Sequence, residues 1–439
     1  MLTIEYQAAI QGKILASKEA FYQDLQSLLK IPSVKTTALP GAPFGQGNQQ
    51  VLAQIVTLGK AYGFQMKVVA DALAYVQIGE DDDDYIGIVG HLDVVAATGK
   101  WRYPPFDLSL ANGRLYGRGI LDNKGPIFAC LYGLKLLQEM ALPLNKTLRI
   151  IFGTDEESGS SDIPLYLATE KAPSFAFTPD CKYPVVYGER GIIRLEIKTP
   201  LNESGLSLIA EIRGDQSPSF VPDFLETTVF KQLVVGKGRR SPSNSPETGS
   251  NAITDLAERI SQLPSENSEL TDYFQWLVEA FKEKHYGEGL NLALADQASG
   301  SLIVTPFELR KEEKEMSLGI SIRYPVSYKE EEVLNRLKTA LPPGSHLNIL
   351  RSYPSLLVDK NKPEIQQLTK VYEEVMGVSA PPVTTTGATY ARAMPNTVAF
   401  GPSFPGQKGI AHNVDEYMDE KDLLKNMEIY MQAMLALCQ

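Results

Sequence analysis

Cysteine is scarce in this chain: Cys130, Cys181 and Cys438 are the three among 439 residues, and no two lie close together. That count and spacing exclude a disulfide framework and a thiolate metal site, and they fit a reducing cytoplasm. Long apolar runs are missing too. Nothing approaches the roughly 20 residues that cross a bilayer, and the start, MLTIEYQAAIQGKILASKEAF, is broken by Glu5, Gln7, Gln11 and Lys13. The expectation is a protein without export signal or membrane partner. Positive charge is in deficit, with 42 Lys and Arg against 53 Asp and Glu, a net of −11. Such a surface repels polyanions, which argues against nucleic acid or an anionic membrane as partner.

What is present is a large apolar share, 43% of residues, on a chain longer than one core usually serves. Two domains are expected. The first part alternates helical and strand-like patterns, which favours an α/β layer with a mixed, largely parallel sheet flanked by helices. Phe21, Leu25, Leu28 and Leu29 form a helical stripe ended by Pro32, Val51 to Tyr62 reads as a helix, and QMKVVA and ALAYVQIG read as strands turning at Asp71. The acidic run Glu80 to Asp84 lacks the interleaved glycine and distal glutamate of a calcium loop and is expected to be a solvated hairpin tip. Tyr85 to Val95 and Leu148 to Gly153 read as buried strands, with Gly125 to Met140 as the helix between them. From about Ile192 the grammar changes to strands such as IIRLEIKTP and SLGISIRYPV and helices such as Ala252 to Leu263 and Tyr273 to His285, and helical and strand patterns return with Pro363 to Met376 and Lys421 to Leu437. The expected organisation is a catalytic domain from residues 1–191 and 353–439, carrying an inserted smaller α+β lid at 192–352.

Only four histidines occur, and two of them, His91 in VGHLDVV and His412 in GIAHNVDEY, stand in glycine-flanked acidic segments. Further acids sit just beyond apolar strands: Asp93, Asp122 in GRGILDNKG, Glu156 and Glu157 in GTDEESG, and Asp180 in FTPDCKYP. Imidazole plus carboxylate without sulfur suits zinc, manganese or cobalt, and strand ends are where ligands gather in open α/β sheets. Read as two apart on a strand, His91 and Asp93 point to one face, so Asp93 can orient the ring. Adjacent glutamates permit one to bind metal while the other takes a proton. Taken singly, each has a plain alternative. Asp122 also fits a helix N-cap, Glu156 and Glu157 a solvated loop, Asp180 a turn after Pro179, and His412 an ordinary loop histidine.

As an ordered set, GHLDVV, GKWRYPPFDLSLANGRLYGRGILDNKGP, GTDEESGS, FTPD with PVVYGERG, GATYAR and AFGPSFPG with AHNVDE resemble the co-catalytic dizinc peptidase family. That family includes acetylornithine deacetylase, succinyl-diaminopimelate desuccinylase, aminoacylase and carnosinase, and the likeness is greatest to its dipeptidase V branch. It runs through nearly the whole chain and is weakest in the insertion. The resemblance implies one metal held by His91 and Asp180, a second by Glu157 and His412, Asp122 bridging both, Glu156 as general base and Asp93 as orienting carboxylate. It implies two divalent ions, zinc first, with manganese or cobalt as alternatives, and hydrolysis of an amide bond in a short peptide or acyl-amino acid.

Two positions depart from that pattern. Relatives use a lid asparagine and a lid histidine at the substrate; here Ser219 in SFVPD and Pro242 in SPSNSPETGSNA stand in their places. Proline offers no side-chain donor, and one oxyanion donor is worth about 2.7–4 kcal/mol. Arg239 or Arg240 beside the gap are candidates for a substitute charge, against the plainer reading of a solvated pair. Arg323 in SIRYP and Arg392 in GATYARAM resemble family positions near substrate, where a guanidinium captures a terminal carboxylate, and Gly387 permits close backbone approach. A surface ion pair is the alternative for Arg323. Three readings stay open: a dipeptidase, an N-acyl-amino-acid deacylase, and a metal- and ligand-binding relative with weak or no turnover. Monomer and homodimer are both open.

Overall fold

The computed structural model describes residues 4–264 and 267–439, and they form two compact units. The first contains the chain up to Tyr187 with Val358–Val383 and Thr389–Gln439; the second is Gly188–Leu357 with the short segment Thr384–Ala388. The second unit therefore reaches a few residues beyond 192–352 at both ends and takes in Gly387.

In the first unit the sheet path runs Met66–Val69, Leu73–Ile78, Thr147–Gly153, Tyr85–His91, Phe175–Thr178, Thr397–Phe400, Val185–Glu189. Its middle four strands are mutually parallel. Ile86, Ile88, Ile150 and Phe152 face a core shared with the helices Ile4–Leu29, Lys124–Glu139 and Glu420–Leu437, whereas Val89 and Ile151 pack on the other side against Tyr166, Tyr390 and Met394. Both faces are covered, which is why these strands read as unbroken apolar runs rather than alternating ones.

Two expectations change here. The strand expected to reach Val95 ends at His91, so Asp93 lies beyond it. The run Glu80 to Asp84 is exposed but is no hairpin tip, because Thr147–Gly153 lies between the two strands it joins. The Asp81 carboxylate instead turns the chain by accepting from the amides of Asp83 and Asp84 at 2.9 and 3.0 Å.

The second unit is built on an antiparallel sheet in the order Ile303–Lys311, Glu315–Tyr324, Gly191–Pro200, His346–Tyr353. One face, with Ile193, Leu195, Ile197, Leu318, Ile320 and Ile322, packs with residues of the helices Ala252–Ser261, Ser268–Phe281 and Glu330–Lys338. Asn251 caps the first of these helices by accepting from the Ile253 amide at 2.9 Å. Alternation puts Arg194, Ser321, Arg323 and Arg351 on the opposite face.

Candidate metal centre

Parallel register sets the site. His91 lies opposite Gly153 at the carboxyl ends of adjoining strands, so His91 and the Glu156–Glu157 loop leave the sheet together. Asp180 follows two residues after the end of the next strand, Phe175–Thr178. Asp122 precedes the helix Lys124–Glu139, but Asn123 takes the N-cap position. The N-cap reading of Asp122 is therefore wrong. Its two oxygens go elsewhere: Oδ1 lies 3.0 Å from His91 Nε2 and Oδ2 2.9 Å from His412 Nε2.

Around that carboxylate the other expected residues assemble. Asp180 Oδ1 is 3.6 Å from His91 Nε2, and Glu157 Oε1 is 3.0 Å from His412 Nε2. His91 is fully buried, while His412 is exposed and adopts a left-handed φ of 63°. Ligand atoms of His91, Asp122 and Glu157 fall within 4.8 Å of one another, and so do those of His91, Glu156 and Asp180. Glu156 thus stands within reach of the same space as the expected ligands.

Asp93 does more than orient a ring. His91 Nδ1 lies 2.9 Å from the Asp93 main-chain oxygen and 3.4 Å from its carboxylate. A carbonyl only accepts, so Nδ1 carries the proton and the Nε2 lone pair is left for the site. The Asp93 carboxylate accepts from the amides of Glu156 and Glu157, both at 3.1 Å. One side chain thereby fixes the start of the glutamate loop beside the histidine.

Sequence reasoning missed five supporting residues, Glu416, Arg118, Asn123, Asp162 and Tyr390. Glu416 is buried; its Oε1 accepts from the amides of Gly119, Leu121 and Asp122 at 3.0–3.1 Å, and its Oε2 pairs with buried Arg118 at 2.6 Å. It joins the His412 segment to the Asp122 loop. Asn123 accepts from the His91 amide at 3.2 Å and donates to Pro179 O at 2.6 Å, tying His91 to the Asp180 turn. Asp162 accepts from the amides of Thr154 and Asp155 at 2.7 and 3.1 Å and from the buried Tyr390 hydroxyl. Of the five, Glu416 had a visible signal, its place inside HNVDEY; the other four depend on which loops the fold brings together.

Electrostatics follow from five carboxylates and two imidazoles in one place. Burial, reinforced by Asp180, pushes Glu156 well above the carboxylate range, and burial with Asp122 raises Glu157. Burial pushes Asp180 up to about 7. For Asp122 burial is overcome by the hydrogen bonds of His412 and His91, which hold it below the usual range. Burial opposes charge on His91, but Asp180 and Asp122 outweigh it and raise its pKa; Asp122 and Glu157 raise His412 to about 11. Excess negative charge, sulfur-free donors and an Nε2 lone pair facing carboxylates fit divalent cations of the zinc, manganese and cobalt type.

A sequence model of peptidase family M20/M25/M40 matches residues 87–436. The chain belongs to this family. Its relatives include a Bacillus subtilis (strain 168) protein described as "Putative dipeptidase YtjP", 33% identical over 97% of this chain and 99% of that one. Another, described as "Putative dipeptidase", is from Staphylococcus epidermidis (strain ATCC 12228 / FDA PCI 1200), 28% identical over 97% of this chain and 98% of that one. Among solved structures, human carnosine dipeptidase 1 superposes with TM-score 0.62 at 14% identity, covering 99% of each chain. The dipeptidase Dug1p of Saccharomyces cerevisiae gives 0.61 at 15%, covering 98% of each. At such identities the structural likeness concerns the fold. Solved M20 structures have catalytic and lid domains, and the mixed, largely parallel sheet flanked by helices here is of that fold class. The chain is thus a family M20 hydrolase with a candidate site for divalent metal. Among its described residues no helix is long and apolar enough to cross a membrane.

Of the expected substrate residues, Arg323 and Gly387 lie in the second unit and Arg392 in the first. Arg323 Nη1 donates to Thr386 O at 2.5 Å, and the Gly387 amide donates to Thr385 Oγ1 at 3.2 Å. The substitute charge expected from Arg239 or Arg240 is already engaged. Arg240 pairs with Asp215 and Asp223 at 2.6 and 2.9 Å, and Arg239 donates to Thr248 O at 2.9 Å.

Proposed function

We propose that this chain is a dipeptidase that hydrolyses short peptides bearing a free C-terminal carboxylate. The observation that carries the reading is Asp122, whose two oxygens each face a different imidazole, the placement a bridging ligand needs. His91 and Asp180 would hold one divalent ion and Glu157 and His412 the other, zinc before manganese or cobalt. When bound, such ions supply Lewis acidity to the scissile carbonyl and acidify water.

The chain's own residues do the rest. Glu156, with its pKa raised by burial and Asp180, takes the proton from the attacking water and returns it to the leaving amine; a raised carboxyl pKa brings that exchange nearer neutrality. Asp93 keeps the glutamate loop and the His91 tautomer in place through the bonds described above. Arg323 and Arg392 are assigned to the substrate carboxylate, with Gly387 allowing close backbone approach.

A panel of dipeptides and N-acyl amino acids, assayed on protein stripped of metal and reloaded with zinc, manganese or cobalt, tests this reading. Metal-dependent cleavage of dipeptides is the expected result. Cleavage confined to N-acyl amino acids would make the chain a deacylase instead. A second reading rests on Ser219 and Pro242: metal bound at full occupancy with no turnover on any substrate would mark a binding protein rather than a peptidase.

A further inference from the structure

On the face of the second unit's sheet opposite Ile193, Leu195 and Ile197, two arginines stand opposite each other. Arg194 of Gly191–Pro200 is the direct cross-strand partner of Arg351 on His346–Tyr353, which places their Cβ atoms about 4.5–5.5 Å apart. Like charges directly opposite destabilise a ladder. Nearby Arg310 on the same sheet meets Glu196 and Glu308, yet among the described residues no carboxylate pairs with Arg194 or Arg351. Burial and the Arg351 charge lower the Arg194 pKa.

The neighbourhood is also short of acceptors. Arg194 Nε is buried and finds no hydrogen-bond partner among the described residues. Across the ladder on the other side, the direct partner of Arg194 is Ser321, 2% exposed, whose hydroxyl is likewise without a partner there. Arg351 lies over the face of Tyr353, 4.5 Å from its guanidinium, and among the described residues meets no acceptor. Two unneutralised guanidinium groups, a buried Nε–H and a buried hydroxyl on one patch make a site short of one negatively charged acceptor.

We propose that Arg194, Arg351 and Ser321 form a binding site for a small oxyanion, a phosphate or a carboxylate group, distinct from the metal centre. The anion removes the repulsion between the arginines and supplies the acceptor that Arg194 Nε and Ser321 lack. Nothing in this assignment depends on the chain's peptidase activity.

Calorimetric titration of the metal-loaded full chain with inorganic phosphate, and separately with glutarate, at constant ionic strength set by chloride, tests the site. Arg194→Gln and Arg351→Gln are each expected to weaken binding about tenfold or more. Both should unfold in chloride at the same or higher temperature than the parent chain, because each relieves a like-charge contact. Should Arg194→Gln not fold, Arg351→Gln on the edge strand gives the same reading. Tighter binding of phosphate assigns the site to phosphate groups, and tighter binding of glutarate assigns it to carboxylates. Binding that both variants retain at parental strength belongs to another site, the metal centre included, and overturns the proposal; so does the absence of binding by either anion.

Discussion

The two units dispose of their polar groups in opposite ways. In the first, Asp93, Asp162 and Glu416 spend their oxygens on backbone amides of Glu156, Glu157, Thr154, Asp155, Gly119, Leu121 and Asp122. The loops that carry Asp122, Glu156 and Glu157 are thereby fixed before anything binds, the condition under which electrostatic stabilisation needs no reorganisation during reaction. In the second unit, Arg240, two residues before Pro242, is consumed by Asp215 and Asp223.

The sharpest way to break that contrast is Glu156→Ala. If Glu156 is the base, turnover should fall by about 10²–10⁴-fold while metal content, read by elemental analysis, stays at the parental level. Loss of one metal equivalent would make Glu156 a ligand, which its closeness to His91 and Asp180 makes a real alternative outcome. Asp93→Ala comes next in size. It removes the acceptor of two amides and the carboxylate beside His91, so metal affinity should drop about 10–100-fold, measured by competition with a chromogenic chelator. Unchanged affinity would mean that the His91 ring and the glutamate loop hold their places without it.

How much of this was legible beforehand divides along the same line. The five expected metal ligands, Glu156 and Asp93 come together in the first unit; all but His412, which lies in a loop, stand just at or beyond a strand end or before a helix start, and those ends are readable from apolar runs. The helix Pro363–Met376 has the bounds that its periodicity and leading proline imply. What could not be read are the contacts between loops far apart in sequence. Glu416 bonded to the Asp122 amide, and Tyr390 to Asp162, span 294 and 228 residues, and no local pattern encodes such a pairing. The false hairpin at Glu80 to Asp84 has the same cause: strand order in a sheet is a property of the whole topology. The arginine pair was invisible because it depends on a register shift at Arg194 and Leu195.

Acid–base behaviour offers a subtler test of the first unit. Asp162, Asp180 and Glu416 are pushed up by burial to about 7, from 3.8 for the aspartates and 4.5 for the glutamate. A carboxyl whose folded pKa is raised lends stability that is complete below its unfolded pKa and is lost as pH climbs through the folded value. The metal-stripped protein should therefore unfold at falling temperatures as pH rises from about 5 to 7. Zinc should lessen the decline, since a cation replaces the proton at Asp180, without removing the part due to Asp162. Melting curves in chelator and in zinc across this window are the measurement; a midpoint that rises with pH in chelator would show that these buried carboxyls do not carry raised pKa values.

The smallest expected effect probes the second unit. Pro242→His adds a side-chain donor at the position expected of an oxyanion-binding histidine; Phe220 and Pro242 form an isolated antiparallel bridge there, and the Ser245 amide donates to Pro242 O at 3.0 Å. A histidine can keep that carbonyl bond, and its extra amide proton adds a donor without displacing an existing one. A full oxyanion donor is worth about 2.7–4 kcal/mol when its geometry is right, and a grafted ring will recover part of that, so a gain of about tenfold in kcat with little change in KM is expected. A gain in kcat locates the deficit in transition-state stabilisation. A folded, metal-loaded variant with no gain would place the oxyanion donor elsewhere, and the second unit would then have changed its substrate rather than lost a donor.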